Sequence, residues 1–95
     1  MMFSIIATIT LVAKGGRRGP IKSGYQCPML IENEHWDCYV TFSGGLIYPG
    51  DTRSGVKIEF LSPDQVAKKL RVHSTFHFTE GPRIVVTGSV DQCNS

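Results

Sequence analysis

Apolar and polar residues alternate along several short stretches of the chain, as expected of strands that bury one face. In F-S-I-I-A-T-I-T-L-V, residues 3–12, the period of two puts Phe3, Ile5, Ala7, Ile9 and Leu11 on one face and Ser4, Thr8 and Thr10 on the other. Trp36, Cys38, Val40 and Phe42 face away from Asp37, Tyr39 and Thr41, and Val56, Ile58 and Phe60 away from Lys57 and Glu59. Val72, Ser74, Phe76 and Phe78 are assigned inward, which leaves His73 and His77 outside. YQCPMLIE supplies a further strand, expected to be irregular near its start because Pro28 has no N–H to give to a ladder. IVVTGSV is the last, followed by a polar tail over residues 91–95.

Turn residues punctuate these runs: SGGLIYPGD and EGPR each combine glycine and proline with a short polar neighbour. QVAKKL, behind Ser62-Pro63-Asp64, is the one segment with helical potential, and six residues support a turn or two. A chain of 95 residues is too short for two ordinary cores, so residues 1–95 form a single domain with its core over about 3–90. The fold class is all-β with six strands. Two long free edges would invite aggregation, which favours closure into a barrel, with a two-sheet sandwich as the competing arrangement.

Charge changes the picture through its distribution. A net charge of +2 does not by itself imply a nucleic-acid partner, but Lys14, Arg17, Arg18 and Lys22 fall within one glycine-rich loop, KGGRRGPIKSGY, expected to lift its arginines away from the core on a pliant arm. Lys68, Lys69 and Arg71 form a second cluster, read as ordinary solvent-facing charge. Cys27, Cys38 and Cys93 cannot all pair within one chain and match no zinc-ligand spacing, so a reduced, cytoplasmic setting is expected. MMFSIIATITLVA is too short to span a bilayer; it is read as a strand, with export as the alternative.

The loop GGRRGPIKSGY resembles the G-G-R-x-x-P-x-x-x-G-Y segment in the third, C-terminal β-barrel domain of bacterial elongation factor Tu and its translation-GTPase relatives. Trp36-Asp37, Pro49-Gly50-Asp51 and FHFTEGPRIVVTGSV keep the family's order, and the resemblance covers about residues 3–90. It implies a closed six-stranded Greek-key barrel, here free of its GTPase, and a role in holding structured RNA, tRNA above all. The family's RNA contacts fall on Arg17 and Arg18 and on Gly81 of the E-G turn. Lys14, Gly15, Gly16, Lys22, Tyr25 and Arg83 complete the expected RNA- or partner-binding surface. Guanidinium groups fork onto phosphate oxygens, and glycines let backbone N–H groups approach them. Two departures stand out: Gln26-Cys27-Pro28 replaces R-P-Q, and Pro82 replaces the second glycine of E-G-G-R.

Nucleotide hydrolysis is excluded, because the chain has no G-x-x-x-x-G-K-[ST] loop and no room for the sheet that would present one. His73 and His77, four apart on a strand, would lie about 13 Å from each other, too far to share a metal. Cys27 is the one cysteine close enough to the basic loop to be drawn toward a thiolate. No catalytic group and no cofactor is assigned. The expectation is a binding module for structured RNA or, alternatively, a protein-interaction module that acts as a translation-factor mimic or as a toxin-neutralising, immunity-type protein.

Overall fold

A computed structural model describes residues 2–95 and contains six strands and one short helix: β1 (Ser4–Leu11), β2 (Tyr25–Ile31), β3 (Glu34–Thr41), β4 (Thr52–Phe60), α1 (Pro63–Ala67), β5 (Thr75–Glu80) and β6 (Arg83–Asn94). Residue 1 of the expected domain lies outside the described residues. Every ladder is antiparallel, and the strands close in the order β1-β4-β3-β2-β5-β6, with β6 paired back onto β1. Strands β2, β3 and β4 form a meander, and β1 reaches its place beside β4 through the long connection 12–24. This is a closed Greek-key barrel, and the sandwich alternative falls because neither sheet edge is left free.

The interior is filled by the alternating residues read from the sequence. Ile5, Ala7, Ile9 and Leu11 of β1 are buried, as are Cys38 and Val40 of β3 and Val56, Ile58 and Phe60 of β4. Gly88 faces both Ile9 and Phe76 across its two ladders. A methyl group there would lie 2.5 Å from the Phe76 ring, so the glycine makes room for one of the two largest buried side chains. One end of the barrel is closed by the Phe3–Phe60 stack and by buried Val66 of α1, which follows directly on β4. The other is closed by two loops joined through an isolated bridge, in which Ile21 and Ile47 exchange backbone hydrogen bonds of 2.9 and 3.0 Å.

Three local expectations need correction. Strand β5 begins at Thr75, not at Val72: Arg71–Ser74 is a turn, with the Ser74 N–H donating to Arg71 O and His73 at a φ of 76°, so Val72 points into solvent. The polar tail is strand through Asn94, because the first residues of β1 need partners on their β6 side and find them in Gln92, Cys93 and Asn94. Irregularity at Pro28 is confined to one side. Strand β2 pairs with β3 along its whole length, whereas its ladder with β5 holds only Met29–Phe78 and Leu30–His77. Pro28 stands where that ladder stops, consistent with its missing donor. A register shift after Phe78 turns both Phe78 and Thr79 inward. The seam between the start of β2 and the end of β5 is therefore unzipped, and it opens at the loop-covered end.

Candidate functional site

Segment 12–24 lies across that open seam. Its base is tied down by Leu11 N–H to Asp51 O, Gly50 N–H to Leu11 O and Val12 N–H to Val85 O. Gly15 takes a φ of 80°, and the chain turns back so tightly over Val12 that a side chain on Gly16 would sit 3.0 Å from the Val12 Cβ. The consecutive glycines thus fold the loop down onto the barrel. Arg83, from the β5–β6 turn, donates from Nη1 to Gly16 O at 3.2 Å and fastens the two turns together. In that same turn Gly81 supplies the positive φ, 60°, that its tight reversal requires.

Arg17 crosses the gap and meets Glu80. Its Nη1 is 3.1 Å from Glu80 Oε2, and its guanidinium lies 5.2 Å from the centre of the Tyr25 ring. The Tyr25 hydroxyl donates to the same Oε2 at 2.5 Å. Burial, and then this hydrogen bond, push the Tyr25 hydroxyl well above the ordinary tyrosine range, so it remains a donor. Arg17 Nε is buried and has no acceptor among the described residues. The arm expected to hold both arginines away from the core is thus corrected: one of them is clasped by a carboxylate of the same molecule. Arg18 beside it is exposed, and among the described residues the side chains of Lys14, Arg18 and Lys22 have no hydrogen-bond or ion-pair partner.

A cleft of about 440 Å3 runs between Arg17, Pro20, Ile21, Lys22, Tyr25, Leu46 and Glu80. A second hollow, past Gly16, Arg18 and Pro49, shares Arg17 with it, and a third, past Lys14 and Ile84, shares Gly15 and Arg83 with the second. The charged residues lining the three are Lys14, Arg17, Arg18, Lys22, Arg83 and Glu80. They include five of the chain's ten Lys and Arg but one of its eight carboxylates, a formal +4 here against −2 for the remainder. All nine residues expected to form the binding surface lie in or beside these two turns.

Elsewhere the expectations fare differently. Lys69 is not a free surface charge: its Nζ is 3.0 Å from Glu34 Oε1 and 5.7 Å from the Trp36 ring, on the α1 side of the barrel, whereas Lys68 and Arg71 are exposed. Cys27 is the opposite of an activated thiol. It is buried directly across from Cys38, with the sulfurs 3.9 Å apart, and that contact together with burial drives its pKa far upward. Two contributors were missed. Glu80 belongs to the expected binding turn but carries no role of its own in the sequence reading, although it is the single acid in the loop and the EGPR turn. Arg53, which braces the loop bearing Leu46, has no signal in the chain's pattern. Among the described residues no helix is long and apolar enough to cross a membrane. No protein-family model matches the chain, and none of the curated proteins matches it.

Proposed function

We propose that this barrel is a non-catalytic binding module, similar to the tRNA-binding third domain of elongation factor Tu, whose loop-covered end takes the phosphate backbone of structured RNA such as tRNA. The observation that carries the reading is the segregation of charge: five cations from two turns far apart in sequence share one surface with a single carboxylate. Lys14, Arg18 and Lys22 are exposed and have no partner among the described residues, so phosphate contact costs them no broken bond there. Contacts of this kind follow helix shape more than base sequence.

The test is the salt dependence of binding to an RNA hairpin carrying a tRNA-like stem. Three to four phosphate contacts give a log–log slope of about −3, and Arg18→Ala lowers its magnitude by roughly one contact, about 0.7 to 0.9. Affinity indifferent to salt, or no binding at all, overturns this reading in favour of a protein-interaction module. Leu46 and Tyr48, 42% and 53% exposed beside the cleft, would then be its apolar contacts.

A further inference from the structure

We infer that Glu80 and Tyr25 form a clasp that withholds Arg17 from the RNA-binding surface, and that binding exchanges the Glu80 carboxylate for an RNA phosphate. The inference rests on the reading above and concerns how the same site is regulated. Three features carry it. First, among the described residues Arg17 is the one cation of the patch paired with a carboxylate, Glu80 Oε2 at 3.1 Å, whereas Arg83 serves only a backbone carbonyl. Second, the clasp is shallow: the side chains of Arg17 and Glu80 are 27% and 41% exposed, so the pair stands at the cleft wall where a ligand reaches it. Third, the guanidinium is incompletely used, since its Nε has no acceptor among the described residues. A carboxylate and a phosphodiester offer a guanidinium the same geometry, two oxygens in one plane, so the exchange needs no rebuilding of the site.

Tyr25 makes the clasp more than a surface ion pair. Its ring lies under the guanidinium and its hydroxyl holds the carboxylate, so it positions both partners. Lys14, Arg18 and Lys22 supply the first encounter with RNA, and Arg17 joins only when Glu80 yields. The closed pair lowers affinity for weakly matched RNA and keeps one contact in reserve for a backbone that fits the cleft.

The experiment is a double-mutant cycle read by RNA-hairpin binding across a salt series, using the full chain as wild type, Glu80→Gln, Arg17→Ala and the double variant. Glu80→Gln is expected to tighten binding about 3- to 10-fold at low salt and to steepen the slope by nearly one contact. That gain is expected to vanish when Arg17 is absent. An equal gain with and without Arg17 would show that Glu80 acts only through its field, and would overturn the clasp while leaving the RNA-binding reading intact. So would a Glu80→Gln variant that binds like wild type. A second measurement needs no RNA: proton exchange at the Arg17 Nε–H should be slow in wild type and faster in Glu80→Gln. Equal exchange rates would sink the clasp as well. Failure of every variant to bind RNA would instead remove the function on which it rests.

Discussion

Arg17 and Arg53 stand at the same end of the barrel, and each places its guanidinium over an aromatic ring, Tyr25 at 5.2 Å and Phe42 at 5.6 Å. They differ in what answers the charge. Arg53 Nη1 donates to Ser43 O at 2.6 Å and Gly45 O at 3.2 Å, and its Nη2 donates to Leu46 O at 3.1 Å. These carbonyls belong to a turn whose two glycines take positive φ, 92° and 80°, and which makes no ladder of its own. Arg17 meets a carboxylate held by a neutral hydroxyl and leaves its Nε unanswered. An arginine that ties three carbonyls of one turn together is committed to the fold, because its loss releases that turn. One that serves a half-exposed carboxylate is exchangeable, because phosphate is an equivalent acceptor.

The largest effect expected from this difference is on stability. Arg53→Ala removes three charge-assisted bonds and frees the turn, at a cost of about 2 to 4 kcal/mol measured by urea or thermal unfolding. Arg53→Lys recovers only part of it, since one ammonium cannot span carbonyls of three residues in the same plane. Below its melting range the Arg53→Ala protein is expected to keep the salt-dependent RNA contacts proposed above, because Lys14, Arg18 and Lys22 lie on other segments. A cost as small as that for Arg17 would erase the distinction between the two arginines.

Arg17→Ala is expected to reverse the balance. An ion pair this exposed contributes at most about 1 kcal/mol to folding, screened further by salt. The melting temperature should therefore move little, while the proposed Glu80-dependent part of RNA binding is expected to disappear. A large stability loss on Arg17→Ala would recast it as a second brace of the fold and leave the cleft without its exchangeable cation.

Neither role could be read from the chain alone, and the reason is physical. Alternation revealed Ile5, Ala7, Ile9 and Leu11 because a strand against a core needs apolar groups at every second position, wherever its partners lie. The same rule misassigned Val72, since an alternating pattern can run on into a turn, and it passed over Cys93 and Asn94, whose strand is imposed by the pairing needs of β1. The loop and the EGPR turn were recognisable as a pair of surfaces only through resemblance. That they touch through Arg17 and Glu80 depends on the unzipped seam beside Pro28, a consequence of closure that no local window contains. Arg53 is further from view still: its partners are carbonyls, which every residue has.

The smallest effect isolates the one chemical difference between the rings. Tyr25→Phe makes the Arg17 cradle resemble that of Arg53, keeping the ring beneath the guanidinium and deleting the bond to Glu80. At neutral pH the loss should be a few tenths of a kcal/mol to about 1 kcal/mol, a hydrogen bond to a charged acceptor discounted for its contact with solvent. Its pH dependence has a definite sign. The folded protein holds the Tyr25 proton above the value at which the unfolded chain releases it, about 10, so the unfolded state binds fewer protons once pH passes that point. The contribution of Tyr25 is fully present below about pH 10 and is lost as pH rises toward the folded value. Wild type and Tyr25→Phe should therefore differ in unfolding free energy at pH 7 to 9 and converge above pH 10. A difference that stays constant into alkaline solution would mean that the hydroxyl does not hold Glu80, and that the carboxylate facing Arg17 is positioned by the turn alone.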